Sequence, residues 1–438
     1  MQELDVFRDR FAARGGAQLG NDIAADVCIA GLLPHQRDAV RRVNGWPLCG
    51  RACCADECGL GKTVTALQFA LTWPGKKLVL CPSYLCDNWR AEIARFVHVP
   101  GATFVVVSYE QLLSAGSGDQ YGVCVCDEAH YLKNYESQRF KRASKLVHRI
   151  RRVLLLTATP HLNRPIDLFS VMHLLRPATT PSLFAFARRY CGSQAMLNGK
   201  MNTTGFLKRR APELKAWLRD GFIVRRRKDA VLTLPPKVSR LVRIIVPDEE
   251  LTQLAALEEK MEDATIAQRQ ALVSRAFLLT SQIKTAHAPR VMLDELKRTP
   301  TRPLLVFAHH GGMLTALQVA CQQHDLPYVR IDGSTPVPKR APLVARVQAN
   351  EVRVALLSLG AAGTGYTLTA ATHVFFAELY WTPAVLLQAE DRAHRIGQHL
   401  PVSVTRLVAT GTCDERIVRM LARKQLQQSL LVPCDGDA

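Results

Sequence analysis

Short apolar runs alternate with polar or amphipathic segments through the first 160 residues. The runs lie at Arg51–Ala55, Lys77–Pro82, Thr103–Val107, Val123–Cys126 and Val153–Leu156. A short apolar run bounded by turn residues is typical of a buried parallel strand. Because a polar or helical stretch follows each run, the pattern predicts an α/β domain with a doubly wound parallel sheet.

The pattern changes between about residue 161 and residue 300, where helical, basic sequence rich in Leu, Ala and Gln dominates. Strand–helix alternation then resumes, with runs at Leu304–Ala308, Tyr328–Ile331, Val354–Ser358 and Thr372–Phe376, and predicts a second α/β lobe. The break at Leu234–Lys237 is the best candidate linker. We therefore predict three parts: a short N-terminal extension at 1–29, a first lobe at 30–235 with a helical protrusion, and a second lobe at 236–432. The second lobe is expected to carry a helical protrusion and to end in a bracing helix near Asp414–Leu431.

Composition narrows the class of protein. The chain has 438 residues, enough for two domains, and 57 Lys and Arg against 38 Asp and Glu give a net charge of +19. A surplus of this size suggests a polyanionic partner, nucleic acid first, although a merely basic protein would share it. The 13 cysteines include no C-x-x-C pair, which favours free thiols in a reducing compartment over a zinc site. With no signal peptide and no convincing membrane span, we expect an intracellular protein, in the cytoplasm if bacterial or phage and in the nucleus if eukaryotic.

The strongest local motif is the loop ADECGLGKT at 55–63, between a predicted strand and a predicted helix. That context is the one in which a phosphate-binding loop is credible. Gly59 and Gly61 let main-chain N–H groups close around phosphate oxygens at the helix N-terminus. Lys62 can reach the β- and γ-phosphates, and the Thr63 hydroxyl can bind Mg²⁺. By itself the loop fits any nucleotide hydrolase of this loop class.

Two further motifs follow predicted strands. Asp127 and Glu128 come directly after Val123–Cys126. A carboxylate at the end of a buried strand can bind Mg²⁺, and a second one can orient or deprotonate the attacking water. The alternative is a pair of acids that cap the next helix. The string TATP at 157–160 has hydroxyls that could connect a nucleotide pocket to a nucleic-acid face, although a simple turn is the alternative.

Arg392 and Arg395 lie in QAEDRAHRIGQ, three residues apart, and are predicted to share one face of a helix. Arginine suits bidentate phosphate contacts and the charge that develops on a transferred phosphoryl group. The alternative is a solvated helix face.

Three basic clusters are candidates for phosphate contacts. They lie at Arg139–Arg152, Lys208–Arg210 and Arg225–Lys228. Solvated helix faces are the alternative, as is a nuclear import signal for the third cluster. No base-reading motif is apparent, so we expect binding that is independent of sequence.

Taken in order, the motifs LLPHQR, DECGLGKT, DEAH, TATP, VFAHH, RIDGST, GAAGTGYTLT and QAEDRAHRIGQ resemble the Swi/Snf-like ATPases of helicase superfamily two. The stretches VRRRKDAVLTLPPK and FFAELYWTPAVLLQAEDRAHRIGQ most resemble the annealing-helicase, HepA-related (SMARCA-like) subgroup. The resemblance covers roughly residues 30–430. It departs from the family at Cys58, at 157–160 and at Tyr366, none of which removes a charged group. The general loop pattern begins with Gly where this chain has Asp56, whereas the family motif has the acid pair that stands here as Asp56 and Glu57.

The resemblance implies two RecA-like lobes and a set of site residues. It implies that Gln36 contacts adenine and that Gly59, Gly61, Lys62 and Thr63 hold the phosphates and Mg²⁺. It further implies that Asp127 and Glu128 bind the metal and position the attacking water, and that Arg392 and Arg395 act as arginine fingers. Gly365 belongs to the implied nucleotide-binding and nucleic-acid motifs. The remaining implied nucleic-acid contacts are Ser83, Trp89, Ser108, Tyr109, His309, Asp332, Gly333, Ser334 and Thr367. For Trp89 and Trp381, packing in the core is the alternative.

We therefore expect an ATP- and Mg²⁺-dependent DNA translocase, a monomeric motor that tracks duplex or branched DNA and reanneals or remodels it. A targeting protein supplied in trans is an expected partner, and a membrane is not. Two alternatives stay open: a helicase that separates strands of RNA or DNA, and an ATP-gated nucleic-acid clamp.

Overall fold

The computed structural model of the chain describes residues 29–45, 48–158, 165–192, 205–360 and 366–434. The chain forms two compact units. Unit 1 contains the described residues up to Leu232 together with those from Leu426 onward, and unit 2 contains Thr233–Gln425. Each unit has one six-stranded parallel sheet with flanking helices, which confirms the predicted α/β class with two doubly wound sheets.

The sheet of unit 1 has the strand order β3-β2-β4-β5-β1-β6. All its pairings are parallel. The strands are β1 Arg51–Cys54, β2 Lys76–Cys81, β3 Phe104–Ser108, β4 Tyr121–Cys126, β5 Arg152–Leu156 and β6 Ile223–Val224.

Helices cover this sheet. They are α1 Pro34–Asn44, α2 Lys62–Leu71, α3 Cys86–Phe96, α4 Gln138–Val147, α5 Ile166–Leu175, α6 Leu183–Phe186, α7 Ala211–Gly221 and α8 Lys228–Val231. Short 3₁₀ turns follow β2, β3 and β4, at Ser83–Leu85, Tyr109–Ala115 and Ala129–Leu132. Two further 3₁₀ turns lie at Gly118–Gln120 and Lys208–Arg210, and a π turn at Ala187–Cys191.

The sheet of unit 2 has the order β7-β12-β11-β8-β10-β9. Its strands are β7 Lys237–Ile244, β8 Leu304–Ala308, β9 Tyr328–Ile331, β10 Val354–Ser358, β11 His373–Phe376 and β12 Val402–Ala409. Its helices are α9 Asp248–Glu262, α10 Ile266–Lys297, α11 Gly311–Gln323, α12 Val337–Gln348, α13 Pro383–Glu390 and α14 Cys413–Leu431, the last of which runs on into the residues of unit 1.

Every apolar run that predicted a strand is a strand, and the helix predicted near Asp414 is α14. Three strands were not predicted: β6, β7 and β12. The segment Leu234–Lys237, predicted as a linker, runs straight into β7, whose side chains are mostly exposed or half-buried at the edge of the sheet. The predicted domain boundaries stay a prediction.

The architecture fixes where chemistry can occur. Because the strands of each sheet are parallel, their carboxyl ends share one edge, and polar residues that follow the strands gather there. In unit 1 this edge carries the glycine loop after β1 and the Asp127–Glu128 pair after β4. In unit 2 it carries His309 after β8 and Asp332 after β9.

Candidate nucleotide site and nucleic-acid contacts

The glycine loop leads from β1 into α2 through two glycines in the left-handed region, a conformation that residues with side chains rarely adopt. Gly61 is the N-cap of α2 and has φ +77°, in the left-handed region. A Cβ at this position would lie 2.3 Å from Nε2 of Gln36. Gly59 also has a positive φ, +86°. The loop therefore brings bare backbone to the N-terminus of α2, where the first amides lack intrahelical acceptors and favour an anion.

Lys62 folds back over this loop. Its Nζ donates to the main-chain oxygens of Asp56, at 2.9 Å, and Glu57, at 3.2 Å. Burial lowers the pKa of the ammonium, but the negative fields of Cys58 and Glu128 outweigh burial, so the pKa lies above its ordinary value. The ammonium thus stays charged and can exchange two carbonyl contacts for phosphate oxygens.

The start of the loop is anchored by a buried ion pair. Asp56, only 1% exposed, accepts from the main-chain N of Arg226 at 2.9 Å and from its Nε at 3.0 Å, and its other oxygen lies 2.5 Å from Nη2 of Arg226. Beside it, Oε2 of Glu57 accepts from the main-chain N of Lys228 at 2.8 Å. Asp56, at the position of the general pattern's first glycine, and its neighbour Glu57 therefore tie the loop to the segment after β6.

This pairing changes the interpretation of the basic cluster Arg225–Lys228. Arg226 is buried with Asp56, and Arg225 is buried with its Nη2 3.8 Å from Glu57. Arg227 is exposed and pairs with Asp229. The proposed phosphate contact is wrong for the buried arginines, because their charges already face carboxylates. By contrast, Lys141, Arg142 and Lys145 on α4 are exposed.

Gln36 is placed against the loop. Its Nε2 donates to the main-chain oxygen of Leu60 at 3.2 Å, and its Oε1 accepts from the main-chain N of Leu33 at 2.9 Å. The ring of His35 contacts the same Leu60 oxygen at 2.9 Å. The residue predicted to contact adenine thus lies beside the phosphate loop, as that role requires, and the role itself stays a prediction.

Asp127 and Glu128 lie at the carboxyl end of β4. One oxygen of Asp127 accepts from the main-chain N of Glu128 at 2.8 Å, and the other accepts from Nε1 of Trp89 at 2.9 Å. Glu128 adopts a left-handed conformation, φ +47°, that is rare for a residue with a side chain, and lies 3.0 Å from Nδ1 of His130. Backbone strain of this kind is concentrated at functional sites.

The charges of Asp127, Glu128 and Lys62 act on one another, which shows that the three side chains are neighbours. Burial, and then the charge of Glu128, raise the pKa of Asp127 to about 6, while the Trp89 hydrogen bond and the Lys62 charge oppose the rise. A carboxylate pair that raises its own pKa beside a lysine is the environment in which a divalent cation is favourable. Lys62, Asp127 and Glu128 therefore lie close enough to interact, as a nucleotide bound with Mg²⁺ requires.

The nucleic-acid residues predicted in unit 1 divide into two groups. Ser83 is exposed in the turn after β2. Ser108, Tyr109 and Trp89 are buried, with Trp89 fully so. Trp89 and Tyr109 both donate hydrogen bonds to Asp127, the latter through its hydroxyl to the main-chain oxygen at 2.7 Å. Their side chains are therefore buried against Asp127, and their predicted contacts with nucleic acid stay predictions.

In unit 2 the predicted nucleic-acid contacts are mostly open to solvent. His309 is exposed, and its ring centroid lies 4.9 Å from that of Tyr380. Asp332 accepts from the main-chain N and hydroxyl of Ser334, at 2.9 and 2.6 Å. Those bonds, with one from Arg330, lower the pKa of Asp332 to about 2.

Gly333, Ser334 and Thr367 are exposed as well. Gly365 lies outside the described residues. The nucleic-acid roles of these residues stay predictions.

Arg392 and Arg395 do not share a helix face, so that part of the sequence prediction is wrong. Helix α13 ends at Glu390, and the next residues form turns. Leu368 donates its main-chain N to the oxygen of Arg392, and Gln398 donates its main-chain N to the oxygen of Arg395, each at 2.9 Å.

Two features override the helical pattern after α13. Gly397 has φ +94°, which a continuing helix does not allow. The side-chain Nε2 of Gln398 lies 3.0–3.1 Å from three main-chain oxygens, those of Thr369, Ala371 and Ala393, and its two hydrogens, shared among them, hold the turn in place. Both arginines are half-buried in this hydrogen-bonded turn.

Other kinds of site are not found in the described ranges. No cluster of His, Cys, Asp and Glu with the arrangement of a metal centre occurs there. The 12 described cysteines are all free thiols. No described helix is both long and apolar enough to span a bilayer.

Comparison with known proteins identifies the family. The model of the SNF2-related domain matches residues 49–112 and 102–291, and that of the helicase conserved C-terminal domain matches 287–397. The mouse DNA annealing helicase and endonuclease ZRANB3 is 35% identical over 92% of this chain and 41% of its own length. The SWI/SNF-related matrix-associated actin-dependent regulator of chromatin subfamily A-like protein 1 of Xenopus tropicalis is 33% identical over 90% of this chain and 44% of its own.

The chain thus spans less than half the length of these two relatives. A solved structure, the Sulfolobus solfataricus SWI2/SNF2 ATPase core in complex with dsDNA, is 24% identical over 92% of this chain and 93% of that one. Its TM-score of 0.43 is too low to decide anything about this molecule. The family models and the curated relatives agree with the resemblance found in the motifs, and the chain belongs to the SNF2-related family.

Proposed function

We propose that this chain is a nucleic-acid-stimulated ATPase that translocates along duplex or branched DNA without reading its sequence. The main support for this proposal is that Lys62, Asp127 and Glu128 lie together at the carboxyl ends of the unit 1 strands, in a chain of the SNF2-related family. A glycine loop, a lysine and an acid pair at one sheet edge are the parts of a nucleoside triphosphate hydrolase.

ATP with Mg²⁺ is the proposed cofactor. Lys62 and the amides at the start of α2 would hold the phosphates, and Thr63 and Asp127 would hold the metal ion, which supplies charge neutralisation at the reacting phosphate. Glu128 lies beside Asp127 and is the proposed acceptor for the proton of the attacking water. Gln36, against the loop, is the proposed contact for the base.

Arg392 and Arg395 are the proposed source of positive charge for the transition state. A guanidinium stabilises the charge that spreads over phosphoryl oxygens during transfer. The turn that holds them is fixed by Gln398 and by the ring of His394, whose Nε2 lies 2.9 Å from the main-chain oxygen of Pro235. These hydrogen bonds fix the backbone of the turn. A fixed backbone supports a role in the transition state, which needs precise placement of the two guanidinium groups, even though the residues are not on a helix.

DNA is the proposed track, contacted mainly through phosphates. The surplus of 19 positive charges and the exposed basic residues of α4 support an electrostatic, sequence-independent contact. Exposed polar residues at the carboxyl edges, such as Ser83 and Ser334, are the proposed local contacts. The names of the relatives, an annealing helicase among them, make strand annealing or remodelling of branched DNA the proposed outcome of movement.

The test is ATP hydrolysis by the purified chain with duplex, single-stranded and branched DNA and with RNA. We expect strong stimulation by duplex or branched DNA, its loss in Lys62→Ala, and its retention in Lys76→Ala, an exposed lysine of the same unit. Displacement of a triplex-forming strand would then report movement. Maximal stimulation by RNA with none by duplex DNA would instead indicate an RNA helicase. Tight DNA binding with little turnover in the parent chain would indicate a clamp.

We also propose that the motor acts as a monomer, at the cellular site of DNA, and is directed to its target by a separate protein. Light scattering with and without a DNA duplex tests the first part, and a dimer bound to DNA would refute it.

A further inference from the structure

Two buried aromatic side chains converge on Asp127. The indole Nε1 of Trp89 donates to a side-chain oxygen of Asp127 at 2.9 Å, and the hydroxyl of Tyr109 donates to its main-chain oxygen at 2.7 Å. Trp89 is 0% exposed and Tyr109 is 3% exposed. One bond therefore orients the carboxylate while the other fixes the backbone that carries it.

The two donors come from neighbouring strands of the sheet. In the order β3-β2-β4, Tyr109 directly follows β3, Trp89 lies on the helix after β2, and Asp127 directly follows β4. The ring of Tyr109 stacks on that of Tyr131 at a centroid distance of 6.1 Å, and Tyr131 lies in the turn that follows Asp127. The carboxyl ends of three strands are thus tied together around one carboxylate.

The same two segments carry serines that are predicted to contact nucleic acid. Ser83 is exposed in the turn between β2 and α3, the helix that holds Trp89. Ser108 immediately precedes Tyr109 and caps its turn by accepting from the main-chain N of Gln111 at 3.3 Å. Because Ser108 is itself buried, Ser83 is the open contact point, and a shift of its turn on contact with a phosphate backbone would move Trp89, a donor to Asp127. Strand β3, which leads to Tyr109, pairs with β2.

We propose that Trp89 and Tyr109 are positioning residues for Asp127 and transmit nucleic-acid contact to the nucleotide site. This inference rests on the proposed function of Asp127 as a metal ligand. It replaces the direct nucleic-acid contact that the motifs imply for both side chains with an indirect role. Partners that orient a metal ligand typically change metal affinity by about 10–100-fold when they are removed.

The chain offers matched controls for both substitutions. Trp73 is a buried tryptophan of unit 1 whose Nε1 donates to Oδ1 of Asn44 at 3.1 Å. Tyr121 is a buried tyrosine of unit 1 whose hydroxyl donates to the main-chain oxygen of Ala115 at 2.8 Å. Replacing each of the four aromatics by Phe removes one buried donor, but only two of the changes touch Asp127. Melting temperatures of all four variants establish that each is folded.

The first measurement is binding of a fluorescent ATP analogue without DNA at increasing Mg²⁺ concentration. We expect Trp89→Phe and Tyr109→Phe to raise the Mg²⁺ concentration at half-maximal binding by about tenfold or more. Trp73→Phe and Tyr121→Phe should leave it within about twofold of the parent. An Mg²⁺ midpoint in Trp89→Phe that matches Trp73→Phe overturns the positioning role.

The second measurement is the ratio of hydrolysis with and without duplex DNA, at saturating ATP and Mg²⁺, alongside DNA affinity from fluorescence anisotropy. We expect the ratio to fall by about fivefold or more in Trp89→Phe and Tyr109→Phe, with the DNA dissociation constant within about twofold of the parent. A loss of DNA affinity instead would make both residues direct contacts and overturn the inference. If the parent chain itself is not stimulated by DNA, the proposed function fails, while the Mg²⁺ midpoint still decides the positioning role.

Discussion

The buried pair between Asp56 and Arg226 makes a stability prediction that can be worked out from its contacts. Replacing Arg226 by Met removes Nε and Nη2, leaving the 1%-exposed Asp56 carboxylate with the main-chain N of residue 226 as its remaining partner among the described contacts. Breaking a buried pair by removing one partner costs about 3–5 kcal/mol, because the other charge stays buried. For a unit of roughly 150–250 residues this corresponds to a fall in melting temperature of roughly 6–20 °C.

The assay is thermal unfolding of the full chain followed by intrinsic fluorescence, since four of its five tryptophans precede residue 233. Arg227→Met is the matched control, because its pair with Asp229 is exposed and such pairs contribute about 1 kcal/mol or less. Adding Asp56→Asn to Arg226→Met removes the unpaired buried charge. The free energy of unfolding of the double variant should therefore be at least about 1 kcal/mol higher than the sum of the two single effects predicts. Melting temperatures of Arg226→Met and Arg227→Met within about 2 °C of each other would refute the predicted cost of leaving Asp56 buried without its partner.

Further predictions concern the reaction, the DNA contact and pH. Arg395→Ala should lower the rate of ATP hydrolysis by roughly 10³-fold or more while ATP affinity stays within a few-fold. Unchanged turnover would exclude the proposed role of Arg395. The control is Arg423→Ala, which replaces an exposed arginine. DNA affinity should fall by roughly 10³–10⁵ between 50 and 200 mM salt if about 6–10 phosphates are contacted, whereas a flat response would argue against backbone tracking. Burial raises the pKa of Glu295, but hydrogen bonds from His373, Arg240 and Thr405 outweigh burial and hold the pKa at about 2, against an ordinary 4.5. The ionised Glu295 side chain therefore stabilises the fold fully above pH 4.5, and this stabilisation is lost as the pH falls toward 2. Acid unfolding of Glu295→Gln should accordingly be less steep over that window, and an equal slope in both proteins would contradict the assignment.

The strands that could be predicted are those with continuous apolar runs, because both faces of a covered parallel sheet are buried. The three missed strands lack that signal, β12 because Ser403, Thr405 and Arg406 interrupt its apolar residues. In β7 basic residues are interleaved with exposed apolar ones, and β6 has only two residues, so neither stands out in the sequence. The helix boundary after Glu390 was missed for a different reason: the hydrogen bonds of Gln398 that end it join residues distant in sequence.

The nucleotide loop and the Asp127–Glu128 pair were predictable because each is a local string beside a strand. The anchor of the loop was not, since Asp56 and Arg226 are 170 residues apart. The sequence did contain complementary charges, two acidic residues at 56–57 and four basic residues at 225–228. Because β6 was not predicted, nothing indicated that the two segments lie together. Likewise Trp89 carries a family motif for nucleic acid, and only the burial of its ring shows that its N–H is committed to Asp127.

The position of β1 in its sheet has a consequence for how the protein is made. This strand, which leads into the nucleotide loop, pairs with β5 and β6, about 100 and 170 residues later in the chain. At about 5–20 residues per second, the ribosome adds the segment that anchors the loop roughly 8–30 s after the loop itself. For roughly the first 5–20 s the apolar run Ala52–Ala55 has neither neighbour strand to cover its edges, and until β6 is made it has only β5. The growing chain thus carries the complete phosphate-loop sequence well before the strands and the Arg226 segment that hold the loop in shape have been made.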